Sequence, residues 1–163
     1  MALSYNLALG AITDTPCGSW YSTSTFTSTA TNTEYILSVN NQTFARDITV
    51  VDGSKFTVSN SGLYNFQFSA QVYNSDGGGN SAAIEIWLKK NGTIVPYTGT
   101  RVSATSNHPY VVASWNFFES MAVGDYLQLA FDVNTAGINI IPNTTIAPGS
   151  EIPSLIVTMN QVG

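Results

Sequence analysis

The sequence predicts an all-β domain, a sandwich of two antiparallel sheets. Three observations predict it. Short stretches of alternating apolar residues recur along the chain, turn signals separate them, and almost nothing carries the periodicity of a helix. Many short strands without helical crossovers bury their apolar sides by stacking sheets, as a β-sandwich or a jelly roll.

The strands are expected in order at Trp20–Thr27, Glu34–Val39, Asp47–Val51, Lys55–Ser59, Leu63–Asn74, Ala82–Lys90, Ile94–Val102, Tyr110–Phe118, Tyr126–Val133, Ile138–Ile141 and Leu155–Val162. Asp52-Gly53 turns the third into the fourth, and Asn60-Ser61-Gly62 turns the fourth into the fifth. The run Asp76-Gly77-Gly78-Gly79-Asn80 closes the fifth. Asn91-Gly92 makes a hairpin tip after the sixth, where a charge should be harmless. Gly124-Asp125 precedes the ninth, and Pro148-Gly149 precedes the last.

The fifth strand, GLYNFQFSAQV at residues 62–72, alternates cleanly. Tyr64, Phe66, Phe68, Ala70 and Val72 make a core face. Leu63, Asn65, Gln67, Ser69, Gln71 and Tyr73 make the other face, which carries no charge. A strand face against bulk water usually carries Lys, Glu or Asp. Other strands are apolar on both sides. Val111, Ala113, Trp115 and Phe117 oppose Tyr110, Val112 and Phe118, while Leu155, Val157 and Met159 oppose Ile156. A sheet of such strands has an apolar-to-neutral outer surface, and a second copy of the chain is the economical cover for it. Gln71, Tyr73, Tyr110, Val112, Phe118 and Ile156 are therefore the candidate interface residues.

Composition agrees. The 163 residues suit one domain, long enough to bury roughly 70% of its unfolded surface. Only 9% are charged while 44% are hydrophobic, which excludes a disordered chain. The net charge of -5 repels phosphate backbones, so no nucleic-acid partner is expected. No apolar run approaches the roughly 20 residues of a membrane helix, so no membrane partner is expected either. The opening MALSYNLALGAITD has no basic region before its weak apolar stretch and does not read as a signal peptide. The Asn-x-Thr triplets at Asn41, Asn91 and Asn143 then read as turn-rich sequence.

The motifs in order resemble a known family. Gly62-Leu63-Tyr64-Asn65-Phe66 resembles the Gly-x-Tyr-x-Phe strand of the tumour necrosis factor-like jelly rolls, which include the globular heads of complement and collagen proteins. Leu88-Lys89-Lys90-Asn91-Gly92 resembles their Lys-Asn-Gly turn, and Ala122 to Leu129 resembles their Gly-Asp turn and strand. Ser154 to Thr158 sits where their closing strand lies. The strings Asn65–Gln71, Ile86–Gly92 and Ala113–Phe117 are similar to the form of this module found in tailed-bacteriophage virion proteins. The resemblance spans roughly residues 45–162. It implies an antiparallel jelly-roll sandwich of two sheets, forming a homotrimer. It also implies a virion location, with assembly in the host cytoplasm and contacts to other virion proteins such as the major capsid protein. The chain departs from the receptor-binding members in lacking disulfides and a collagen-like or coiled-coil stalk.

Chemistry-bearing constellations are scarce. Cys17 and His108 are the only cysteine and histidine, and they fall in separate loops with no third group or oxyanion motif. The Asp76–Asn80 run lacks the spaced acids of a calcium loop and reads as a hairpin tip. Trp115, among apolar neighbours, reads as core. Trp87, sharing a side with Glu85 and Lys89, reads as partly exposed, and Trp20 opens the first strand. No catalytic, cofactor or metal residues are assigned.

The expectation is thus a non-enzymatic structural virion protein, a trimeric capsid-decoration or fibre-capping module. The alternative is a trimeric knob that binds a host-surface glycan. Residues 1–18 read as an arm or edge segment and 19–163 as the jelly roll. Leu3, Tyr5, Leu7 and Leu9 alternate in the arm and are the candidates for attachment to the particle.

Overall fold

Alternation of period two sets the architecture, because each strand so patterned must turn one side to a common core. The computed structural model describes residues 15–75, 82–143 and 148–163. Its strands are β1 (Cys17–Ser22), β2 (Phe26–Thr27), β3 (Tyr35–Ile36), β4 (Asn41–Arg46), β5 (Ile48–Val51), β6 (Lys55–Val58), β7 (Gly62–Asn74), β8 (Ala82–Lys90), β9 (Thr93–Ile94), β10 (Thr100–Ala104), β11 (Tyr110–Met121), β12 (Tyr126–Val133), β13 (Ile138–Ile140) and β14 (Leu155–Gln161).

Two antiparallel sheets result. The first runs β4–β1–β14–β7–β11, and β13 with β2 continues beside β7 where β14 leaves it. The second runs β5–β6–β12–β8–β10, with β3 on β12 and β9 on β8. From β4 onward the chain repeatedly crosses between sheets: β4 to β5, β6 to β7, β7 to β8, β10 to β11, β11 to β12 and β12 to β13. The later crossings put β11 and β13 beside β7, and β12 beside β6 and β8, all laid down earlier, and that winding makes a jelly roll.

Between the sheets sits one core. Trp20, Phe56 and Phe66 meet edge to face, with ring centroids 5.2 Å apart for the first pair and 5.3 Å for the second. Phe56 comes from the second sheet and the other two from the first, so the trio fastens one layer to the other. Trp20 folds back over Gly18, where a Cβ would overlap its six-membered ring. Its indole N–H donates to the Gln42 side chain at 3.1 Å.

Several expectations change. Residues 17 and 18 belong to β1, so the sheet begins inside the segment read as an arm. β4, with sequence NQTFAR, was not expected as a strand because its only apolar residues, Phe44 and Ala45, are adjacent and show no alternation. The stretch Ile94–Val102 divides into β9 and β10. Pro96 lacks an N–H for a ladder, Tyr97 has φ 63°, and the buried Thr98 hydroxyl bonds to Val95 and Leu88 instead. Trp115 is not core. It shares the inward side of Ala113 and Phe117, yet it is 59% exposed. It sits on the edge strand β11, twelve residues long, which faces a β10 of five. Trp20, by contrast, is fully buried, and Trp87 is half-buried on the outer side of β8.

Candidate functional site

The outer side of the first sheet is assembled by strand register. Cys17, Asn160, Asn65 and Phe118 form one row across β1, β14, β7 and β11. Ser19, Thr158, Gln67 and Asn116 form the next, and Tyr21, Ile156, Ser69 and Ser114 the third. Beyond β14, Gln71 pairs with Val112 and Tyr73 with Tyr110. Not one of these residues is charged. At the far edge, Arg46 on β4 stands beside Cys17 at the end of the first row, its guanidinium donating to the Thr15 carbonyl at 2.8 Å and to Cys17 Sγ at 3.5 Å, so the uncharged rows are bounded there by a cation.

The six residues singled out in the sequence thus lie on one side of three adjoining strands. Tyr73 and Tyr110 touch, with ring centroids 4.9 Å apart. Tyr110, Val112, Phe118 and Ile156 are 55, 51, 57 and 38% exposed. Leu63, 41% exposed, joins them on β7, and Phe44, 51% exposed, stands beside Ser19 on β4. Phe44 was missed because its strand was missed. Between the apolar positions stand neutral hydrogen-bonding groups, with Asn116 and Asn65 side chains 3.5 Å apart and Thr158 and Gln67 3.4 Å apart. A groove over Gln67, Phe68, Ser114, Trp115 and Asn116 runs along the β7–β11 pair.

The second sheet is the opposite in character. Its outer side holds Lys55, Glu85, Lys89, Arg101 and Asp132. Arg101 pairs with Glu85, Lys89 with Glu34, and Lys55 with Asp52. Charge is therefore sorted between the two outer surfaces. Burying the charged surface would strip water from several ions, whereas burying the neutral one removes apolar area, amides and hydroxyls.

Cys17 and His108 do not come together. Cys17 is level with Asn65 through Asn160, and His108 lies just beyond the Tyr110–Tyr73 pair. Eight residues of β7 separate those levels, about 26 Å at the rise of a strand. Among the described residues no group of three or more His, Cys, Asp or Glu is placed to hold a metal. The Asp76–Asn80 run and the attachment candidates Leu3, Tyr5, Leu7 and Leu9 lie outside the described residues.

The two family-like turns form one clamp. The Asn91 N–H donates to the Tyr126 carbonyl, and the Tyr126 N–H donates to Asn91 Oδ1, both at 3.0 Å. The Asn91 amide donates to Asp125 Oδ1 at 2.7 Å, and the Ala122 N–H donates to Asp125 Oδ2 at 2.9 Å. The Ala122 N–H, followed by the Asn91 amide, holds the Asp125 carboxyl below its ordinary range. Asn91, expected to tolerate a charge as a free hairpin tip, is a structural residue. Solvent exposure hid its role, since its partners come from a distant turn.

No protein-family model matches the chain, and none of the curated proteins matches its sequence. Among solved structures, it is similar to murine APRIL at pH 8.0, with a TM-score of 0.56 and 10% identity over 91% of this chain and 99% of that one. It is likewise similar to murine APRIL at pH 5.0, with a TM-score of 0.52 and 12% identity over the same shares. At such identities the likeness is one of fold, and the fold is a jelly roll of the tumour necrosis factor-like type.

Proposed function

We propose that this chain is a non-enzymatic structural module that assembles as a homotrimer through the neutral side of its first sheet. One observation carries the reading: four adjoining strands present an uncharged outer surface while the opposite sheet carries paired ions. A surface edged by Tyr110, Val112, Phe118 and Ile156 gains roughly 25 cal/mol for each Å² of apolar area removed from water. The threefold order follows the family resemblance. Light scattering of the purified chain at micromolar concentration tests it. A mass near three times 17.4 kDa is expected, and a mass near one chain would reject the assembly.

The setting proposed is a bacteriophage virion, as capsid decoration or fibre cap, with the Leu3–Leu9 stretch as the attachment segment. The support is the serial resemblance of Asn65–Gln71, Ile86–Gly92 and Ala113–Phe117 to virion modules. Microscopy of purified virions with a labelled antibody is the test. Label at a repeated position on the particle is expected, and bare particles would remove the virion role. A glycan-binding knob is the second reading, favoured by Trp115, an exposed ring on the edge strand that lines one groove with Gln67 and Asn116.

A further inference from the structure

Asn91 is the only asparagine of the chain followed by glycine. That dipeptide is chemically labile, because glycine has no side chain to shield its backbone nitrogen. The Gly92 nitrogen attacks Cγ of Asn91, ammonia leaves, and a cyclic imide forms. Water then opens the imide to aspartate or isoaspartate. The net change is one amide and one water converted to one carboxylic acid and one ammonia.

The fold restrains this reaction. Asn91 and Gly92 form a two-residue hairpin turn with φ 50° and 80°. Both polar atoms of the Asn91 carboxamide are engaged, Nδ2 with Asp125 at 2.7 Å and Oδ1 with the Tyr126 N–H at 3.0 Å. Cγ cannot swing toward the Gly92 nitrogen without giving up those bonds. The main chain is tied as well, since the Asn91 N–H donates to the Tyr126 carbonyl.

We propose that Asn91 is a locked deamidation site whose conversion unlocks the β8–β9 hairpin from the turn before β12. Once the amide is lost, a carboxylate stands where Nδ2 donated, directly against the Asp125 carboxylate. Two acceptors then face each other with no proton to share, and Lys90, whose Nζ is 3.3 Å from Asp125 Oδ2, must serve both. Isoaspartate does more, adding a main-chain methylene to a turn with room for two residues. The lock is self-sealing while closed and cannot re-form once sprung. It rests on neither the assembly nor the virion proposal.

Peptide-mapping mass spectrometry tests it on the whole protein incubated at mildly alkaline pH, with a synthetic Leu88–Val95 peptide as the unlocked reference. Asn91 in the folded chain should deamidate at least tenfold more slowly than in the peptide. Asp125→Ala, if it retains its circular dichroism, should bring the rate most of the way back to the peptide's. Should that variant fail to fold, Asn91→Asp gives an independent readout: hydrogen exchange at the Tyr126 amide should accelerate at least tenfold while amides in the β7–β14 pairing keep their protection. Equal rates in protein and peptide would overturn the proposal. So would a folded Asp125→Ala with unchanged deamidation, or an Asn91→Asp chain with unchanged exchange at Tyr126.

Discussion

Phe56 and Asp125 show how differently two single residues hold this fold. Phe56 is 1% exposed and fills the space between Trp20 and Phe66. Phe56→Ala removes the ring that bridges the sheets, and a buried Phe→Ala change costs about 3–5 kcal/mol. Chemical denaturation should therefore show a clearly lower midpoint with an unchanged slope. Asp125 lies on the surface and acts through charge. Its folded-state carboxyl is held below the ordinary value by the Ala122 N–H and then the Asn91 amide. A carboxyl so depressed stabilises the fold above the unfolded value, near pH 4. That contribution fades as pH falls from there through the lower folded value. Melting curves of the natural chain and Asp125→Asn should thus differ at pH 7 and converge in acid. A gap that stays constant down to strongly acidic pH would contradict the clamp.

At the scale of the element, the arm is the segment with most at stake. Deleting residues 2–14 leaves β1 intact from Cys17 and keeps Thr15, whose carbonyl Arg46 holds. The shortened chain should fold and assemble but fail to co-sediment with particles. A chain that no longer folds would mean the segment belongs to the sandwich. How much of the elements the sequence disclosed follows from burial. β7, β8 and β12 were legible almost to the residue, because each alternates or is buried along its full length. β4 was not, since an edge strand whose only apolar residues are the adjacent Phe44 and Ala45 looks like a loop when its neighbours are unknown. Trp115 misled for the reverse reason. Its sequence context is apolar, but whether an inward-pointing ring is covered depends on the length of the facing β10, which no local pattern records. The six candidate interface residues were legible because alternation alone decides which side a strand residue takes. The Asn91–Asp125 clamp was not, because its two turns are 34 residues apart.

At the scale of the whole molecule, the sorting of charge between the two outer surfaces makes the sharpest test. Gln71 and Tyr73 lie on the neutral side of β7, opposite Val112 and Tyr110. If that side meets a threefold axis, a glutamate at each position appears three times in a small, dry space. Like charges there cost several kcal/mol, far more than in water. Gln71→Glu with Tyr73→Glu should dissociate or unfold the assembly. Part of any loss would arise within one copy, because Tyr73 packs against Tyr110 with the two rings tilted, and an aromatic pair is worth about 0.5–1.5 kcal/mol. Gln71 unchanged with Tyr73→Gln removes that ring without adding charge and isolates this share. The control for charge alone belongs at Thr49, exposed on the edge strand β5 of the other sheet, since Asn91 is engaged in the clamp. Thr49→Glu should leave mass and melting temperature unchanged, as exposed substitutions do to within about 0.5 kcal/mol. Tyr73→Gln should weaken the protein modestly, and only the double glutamate should lower the mass measured by light scattering. A double-glutamate protein with the mass of a trimer and the melting temperature of the Tyr73→Gln chain would show that the neutral side of β7 faces water.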